Sequence, residues 1–438
     1  MHLFLVGAGH VGLVTAVGFA KLGHRVTVAD IDAARIEGLR GGIPPVFEPG
    51  LEAAIRAYAG QRRLDFTTDL RPPPEASVSI VAVSTPTGRD GPLSTANVEA
   101  AVRALLDAVG PEHTIVVRST LPVDGPARLL ALAAGWAATG ERPAIVTNPE
   151  FMREGSAIAD FETPNRIVAG WLEPRDHAAA EAVLALYEGL HAPTMIADAR
   201  SVALIKLASN VFLAAKVAYA NELARICDVV GADVDTVAAG IGMDTRIGRA
   251  FLNAGPGYGG SCLPEQAVAL SLVTAARGVP TPLIDAVSHS NEVHQRAIVR
   301  RLGELLDGER GLAALAGRRI ALLGLAFKAN TDDVRESPAL SLARYLREAG
   351  ARVVGTDPRA IEKALRADPE LETADSVAEA IAGADAVLVA TEWRDYAELD
   401  WGALARSMAG DLVYDTRDIV VAEQVREAGL RFASLGRG

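Results

Sequence analysis

The sequence predicts an α/β protein, with two doubly wound parallel-sheet domains joined by a long central helix and a helical middle domain. Three observations carry that expectation. Short apolar runs alternate with amphipathic stretches near both ends of the chain, the pattern of βαβ units that build a parallel sheet. The stretch Ser201 to Val230 contains neither proline nor glycine and is ended by Gly231, as a single long helix would be. Two landmarks also recur: VTVADID (Val26–Asp32) is echoed by VVGTDP (Val353–Pro358), and VAVSTPT (Val81–Thr87) by VLVATEW (Val387–Trp393). A loose internal repeat of this kind points to two related domains.

The strand candidates of the first domain are Leu3–Val6, Arg25–Ala29, Ser79–Val83, Thr114–Val117 and Ala144–Val146. Each is short, apolar and bounded by turn residues. After the long helix comes a glycine-rich segment, AGPGYGGSC (Ala254–Cys262), and then more helix to about Asp307. Alternation resumes with Arg319–Leu323, Arg352–Gly355, Ala386–Val389 and Asp411–Tyr414. The expected boundaries are 1–198, 199–307 and 308–438, in line with roughly 150 residues per domain.

Half of the 438 residues are hydrophobic, enough for large cores. A net charge of −12 and a pI near 5.3 argue against a nucleic-acid surface or a polybasic membrane contact. An anionic substrate would have to meet locally placed arginines, lysines or helix N-termini. The only cysteines are Cys227 and Cys262, too few for a disulfide framework, so a cytoplasmic protein is expected. Cys227 lies on the long helix and reads as core packing. The apolar N-terminus lacks the basic region of a signal peptide and turns glycine-rich at once. No uninterrupted apolar run reaches the ~18 residues of a membrane span, and no metal site is expected.

Gly7-Ala8-Gly9-His10-Val11-Gly12 follows a strand and opens a helix. In such a turn the first glycine allows the tight bend, the second lets a pyrophosphate approach the backbone, and the third lets helix and strand pack closely. The helix N-terminus offers free N–H groups to the anion. Asp30 ends the second strand 18 residues beyond Gly12, where a carboxylate would bind ribose hydroxyls and repel a 2′-phosphate, favouring NAD over NADP. Arg35, a helical turn further on, reads equally as a cofactor contact or a solvated arginine.

Cys262 follows two glycines in GGSC, so it reads either as a nucleophile with a thiolate favoured by a nearby cation or as a buried inert thiol. Lys206 and Asn210 are four apart on the long helix and share a face within apolar LIKLASNVFLA. Together they read as an oxyanion-binding pair or as a helix edge with a snorkelling lysine. Ser119 and Thr120 follow the strand TIVVR, at the carboxyl end where open α/β sheets bind ligands. Glu150, Arg153 and Glu154 fall in NPEFMREGS, where a carboxylate serves as general base or as part of a surface cluster.

Eight ordered segments, spread over nearly the whole chain, resemble those of the UDP-glucose/GDP-mannose dehydrogenase family. They are GAGHVG, PVFEPGL (Pro45–Leu51), STPT (Ser84–Thr87), NPEFMREGSAIADF (Asn148–Phe161), IKLASN (Ile205–Asn210), DTRIG (Asp244–Gly248), PGYGGSC (Pro256–Cys262) and GLAFKANTDDVRESPA (Gly324–Ala339). The resemblance implies Rossmann-like first and last domains and a nucleotide sugar oxidised twice with NAD, through an aldehyde and a thioester that is then hydrolysed. It makes Cys262 the nucleophile, Lys206 and Asn210 the oxyanion donors, and Thr120 and Glu150 the groups that hold water or take a proton.

The same resemblance assigns the NAD surface to Gly7, Gly9, His10, Val11, Gly12, Asp30, Arg35, Ser84, Thr85, Pro86, Thr87, Ser119, Thr120, Glu154 and Arg335. It assigns the substrate to Phe151, Met152, Arg153, Glu154, Lys206, Asn210, Phe251, Leu252, Asn253, Tyr258, Gly259, Phe327, Lys328 and Arg417. Arg246 would reach the sugar of a neighbouring subunit, which implies a homodimer. The sequence departs from the family pattern after the cysteine: Cys262-Leu263-Pro264-Glu265-Gln266 stands where the family continues with Lys-Asp. Gln266 thus occupies the place of a catalytic aspartate, and glutamine is a poor base. Ala203 and Arg118 likewise stand for a usual glutamate and lysine.

LIKLASNVFLAAKVAYANELA resembles the UDP-glucose branch, so UDP-glucose is the expected substrate ahead of GDP-mannose, a UDP-N-acetylhexosamine or a TDP-sugar. Two other functions stay open at this point. A single-step hydroxy-acid dehydrogenase can also pair a dinucleotide domain with a helix bearing Lys and Asn. A nucleotide-sugar-binding regulator without catalysis is suggested by Gln266.

Overall fold

The computed structural model describes residues 1–86, 93–137 and 142–437. Two compact units divide it: Met1–Ser209 with Leu272–Val279, and Asn210–Ser271 with Pro280–Gly438.

The first unit is built on strands β1 (His2–Val6), β2 (Arg25–Ala29), β3 (Leu64–Thr67), β4 (Ala76–Val81), β5 (Thr114–Val117), β6 (Ala144–Thr147), β7 (Ile167–Trp171) and β8 (Thr194–Asp198). Their order is β3-β2-β1-β4-β5-β6-β7-β8. All neighbours are parallel except β6 and β7. Residues alternate between faces along each strand: Leu3 and Leu5 join one core with the helix His10–Lys21, and Phe4 and Val6 join another with the helix Ala96–Ala108. Strand β4 ends two residues before the expected Val83 because the Val83 carbonyl leaves the ladder to accept the Ser119 hydroxyl.

The second unit carries β9 (Arg319–Leu323), β10 (Arg352–Thr356), β11 (Glu372–Thr373), β12 (Ala386–Val389), β13 (Leu412–Asp415) and β14 (Arg431–Ser434), in the order β11-β10-β9-β12-β13-β14. This all-parallel sheet repeats the strand order of the first six strands, the doubly wound 3-2-1-4-5-6 arrangement. Ile320 and Leu322 pack on one face with Ala224, Cys227, Ile298 and Leu302 of the helical middle. Ala321 and Leu323 pack on the other with Trp393, Tyr396 and Trp401.

The internal echo in the sequence is a structural duplication. Gly7 donates its N–H to Ala29 O, and Gly324 donates to Thr356 O, both at 2.8 Å. Ala8 N–H reaches Asp30 Oδ2, and Leu325 N–H reaches Asp357 Oδ2, again at 2.8 Å. The copies then diverge. Asp357 also accepts from the N–H groups of Ala326, Arg359 and Ala360 and from Trp393 Nε1, so its oxygens are saturated by the chain itself.

The long helix spans Ala199–Val230, slightly beyond its expected start. By length and average composition this helix is apolar enough to cross a membrane, with nearly half of its most apolar window buried in the protein. Looking only for an uninterrupted apolar run misses it, because Lys206 and Lys216 interrupt the run without cancelling the average.

Candidate functional site

In the first unit β1 lies between β2 and β4, so crossovers leave it in opposite directions and open a crevice at the strands' carboxyl ends. The turn after β1 is shaped for close approach of a ligand. A side chain at Gly12 would put its Cβ 1.9 Å from Gly7 O, so glycine there is required by the fold. Gly9 is different: its φ is an ordinary −83° and a Cβ would meet nothing within 4 Å. The protein itself sets no demand for glycine at Gly9, as expected where a pyrophosphate comes up against the backbone. The helix His10–Lys21 begins with no side-chain cap, so its first N–H groups face outward for an anion.

Asp30, at the end of β2, is buried and accepts from Ala8 N–H, Asp32 N–H and Arg35 Nη1. Burial alone would raise its carboxyl, but those donors hold it below the usual carboxylate range. Arg35 is therefore anchored on the carboxylate that the ribose would meet. Ser84, Thr85 and Pro86 follow β4, and Ser84 accepts from Asn97 Nδ2; Thr87 lies outside the described residues. Ser119 is fixed by its hydroxyl on Val83 O at 2.7 Å, and half-buried Thr120 follows it.

Beyond β6 the backbone brings Glu150 against the long helix. Lys206 Nζ donates to Glu150 Oε1 at 2.8 Å and to Glu150 O at 2.6 Å, with both side chains almost fully buried. Glu150 Oε2 accepts Met152 N–H. Burial would push this carboxyl up, but Lys206, Met152 N–H and the nearby Arg118 hold it below its ordinary range. Two of the three ammonium protons are thereby engaged, and among the described residues the third has no protein acceptor.

The neighbours of this pair are equally fixed. Arg118 is buried, donating from Nε to Thr15 Oγ1 and from Nη1 to Asn148 and Tyr187. The Phe151 ring stacks under the Arg166 guanidinium, 3.8 Å from its centroid, and lies 5.3 Å from Lys206 Nζ. Glu150, Phe151, Met152, Arg118 and Arg166 line a narrow cleft of about 30 Å³. Arg153 is turned outward and paired with Asp160, and Glu154 is half-buried.

In the second unit Asn210 Nδ2 donates to Gln266 Oε1 at 3.0 Å, both side chains buried. Cys262 is the first residue of the helix Cys262–Ala275, is partly exposed, and has Sγ 3.8 Å from Ser261 Oγ. Its own helix carries Gln266 one turn on. The glycine segment before it is clamped against the turn after β9: a side chain at Gly259 would meet Glu336 O at 2.3 Å. Asn291 holds Tyr258 by both its N–H and its carbonyl, and the Tyr258 ring packs inward with Ala214, Ala218 and Val287. What Tyr258 can offer a ligand is therefore backbone, not a stacking ring.

Phe251 sits at φ 62°, a strained conformation for a bulky side chain, between the buried Leu252 and the exposed loop toward Arg246. Asn253 is exposed. Arg246 is exposed and paired with Asp244. Arg417 braces the turn after β9 by donating to Phe327 O and Ala390 O, each at 3.0 Å, and Lys328 Nζ lies 5.4 Å from the Phe327 ring. Arg335 folds back on Asp333. Sequence reasoning missed Glu48, Asn148, Tyr187, Arg166 and Asn291. Glu48 and Asn148 stood in segments already singled out, PVFEPGL and NPEFMREGSAIADF.

A doubly wound sheet with this turn and Asp30 defines a dinucleotide-binding protein, and comparison with known proteins gives the family. Residues 1–191 match the NAD binding domain of the UDP-glucose/GDP-mannose dehydrogenase family, residues 200–293 its central domain and residues 321–422 its UDP binding domain. The chain is 40% identical to UDP-glucose 6-dehydrogenase of Rhizobium meliloti (strain 1021), with all of both chains covered. It is 37% identical to UDP-glucose 6-dehydrogenase YwqF of Bacillus subtilis (strain 168), covering 100% of this chain and 98% of that one. The solved UDP-glucose dehydrogenase of the hyperthermophilic archaeon Pyrobaculum islandicum superposes with a TM-score of 0.86 at 37% identity, covering 100% and 98% of the two chains. The chain belongs to the UDP-glucose/GDP-mannose dehydrogenase family. It is an NAD-dependent oxidoreductase that acts on a nucleotide sugar.

Proposed function

We propose that the protein oxidises the C6 hydroxymethyl group of UDP-glucose to a carboxylate, in two hydride transfers through a covalent Cys262 intermediate. The observation that carries this reading is the Cys262 helix itself: a partly exposed thiol opens the helix, and Gln266, a turn on, is hydrogen-bonded to Asn210 of the long helix. A helix N-terminus favours the thiolate.

NAD, when bound, supplies the hydride acceptor for both oxidations. The first removes a hydride from C6 and the hydroxyl proton, giving the aldehyde. Cys262 Sγ then adds to the aldehyde carbon, and the resulting thiohemiacetal oxygen is steadied by the Lys206 ammonium and the Asn210 amide. Loss of a second hydride and of the hydroxyl proton leaves a thioester. Water attacks it, the C–S bond breaks, and the carboxylate and the thiol are released. Glu150, kept ionised by Lys206, accepts the water proton with Thr120 holding the water. With Gln266 in place of a carboxylate, this hydrolysis is the slow step.

The UDP-glucose assignment is supported by relatives whose names carry that substrate. A homodimer is supported by the exposed apolar stripe Phe212, Tyr219, Ile226 and Val230 along the long helix, a face that a second copy would cover. Incubation with NAD and a panel of nucleotide sugars tests the whole: two NADH per UDP-glucose and uronate mass are expected, and Cys262→Ala should form no acid. Acid made at the normal rate by that variant would rule out the covalent route. One NADH per substrate would instead favour a single-step dehydrogenase, and tight sugar binding without NADH the regulatory reading that Gln266 raises.

A further inference from the structure

Glu48 has no role in the mechanism above, yet it is among the most tightly held carboxylates of the first unit. Its side chain is fully buried. Oε2 accepts His10 Nε2 at 2.7 Å and Gly155 N–H at 2.8 Å, and Oε1 accepts Ala157 N–H at 2.8 Å. Its backbone carbonyl accepts Leu51 N–H, which opens the helix Leu51–Gly60. His10 is the first residue of the helix that follows the glycine turn, and Ala157 the first residue of the helix Ala157–Glu162. One carboxylate therefore ties the glycine turn to the segment that carries Glu150 through Glu154.

Two features make this more than packing. A negative charge beside helix N-termini is favourable, so burial of Glu48 is compensated. A positive charge on His10 is unfavourable to its own helix, and is offset by Glu48 and by an anion bound at the turn. The groups facing His10 are Glu48 from the segment before the helix Leu51–Gly60, and Glu154 and Glu150 from the segment after β6. Burial alone would push the imidazole down, but the bond to Glu48 and these carboxylates hold it above its ordinary value. His10 keeps one flank exposed.

We infer that Glu48 is a positioning residue: through His10 it holds a positive charge at the turn that receives the NAD pyrophosphate, and through Gly155 and Ala157 it sets the adjoining sugar-side segment. This rests on the reading that Gly7–Gly12 binds the pyrophosphate. The test is NAD affinity by titration calorimetry from pH 6 to 9, with KM for the sugar measured in parallel.

Wild-type affinity should fall severalfold as pH rises and the imidazolium is lost, and His10→Asn should abolish that slope. Glu48→Gln should move the inflection to lower pH and raise KM for the sugar, and Glu48→Asp should partly restore both. The same pH slope in His10→Asn as in the wild type overturns the inference, as does an unmoved inflection in Glu48→Gln. His10→Asn keeps a test available if Glu48 variants fold poorly. Gly9→Val separates the underlying reading: it should lose NAD binding, and unimpaired binding would remove the turn from the site altogether.

Discussion

Replacing Gln266 with aspartate asks whether the missing carboxylate limits turnover. Gln266 is 3% exposed and its Oε1 lies 3.0 Å from Asn210 Nδ2. Aspartate is shorter by one methylene, ~1.5 Å, so the bond to Asn210 lengthens beyond reach unless the helix or the rotamer adjusts. The lost methylene costs about 1 kcal/mol, and a buried carboxylate with one partner costs a few kcal/mol more. The variant should therefore melt at a lower temperature.

Against this, a positioned general base is worth roughly 10²–10⁴ in rate. If thioester hydrolysis is limiting, steady-state turnover should rise by about 10-fold or more. The gain should fade at acid pH, because burial raises the new carboxyl. Stopped-flow absorbance of the wild type should show a burst of NADH before a slower steady rate, with the sugar adduct on Cys262 seen by intact mass. In the variant the burst should merge with the steady rate. Gln266→Asn makes the same void without the charge and should give only the stability loss. A wild type without burst or adduct, or a folded Gln266→Asp that turns over no faster, would refute the argument.

The glycines of the cofactor turn should separate stability from binding. Gly12→Ala places a Cβ 1.9 Å from Gly7 O and should cost about 1–3 kcal/mol, whereas Gly9→Ala should shift stability by less than about 0.5 kcal/mol and weaken NAD. Thermal melts with NAD titrations decide it, and equal behaviour of the two variants would contradict the geometry. Glu150→Gln strips the partner from buried Lys206 and should destabilise by about 3–5 kcal/mol at pH 7. Because the folded Glu150 is held below its ordinary value, the wild type has this stabilisation fully above about pH 4.5 and loses it as pH falls through the folded value. Urea denaturation should thus show the difference shrinking in acid; a pH-independent difference would count against an ionised Glu150.

Much of the scaffold was legible because it depends on local spacing. The central strands β1, β2, β4, β9, β10 and β12 are mostly buried and rich in apolar residues. The edge strands β3, β8, β11 and β14 are short and partly exposed, so they carry no such pattern. Strand β7 is buried, but nothing in IVAGW encodes its antiparallel pairing with β6.

The sequence by itself determined the glycine turn with Asp30, the long helix that spaces Lys206 and Asn210 one turn apart, the two-fold echo of sheet strands, and the place of Cys262 at the end of a glycine-rich segment. Each follows from steric and periodic rules that act over a few residues. Only the tertiary structure decided that Glu150 pairs with Lys206 across 56 positions, that Glu48 reaches residues 38 and 109 positions away, and that the Tyr258 ring faces inward. Those contacts have no period to read. They exist because buried charges and N–H groups must find partners wherever the packed chain brings them.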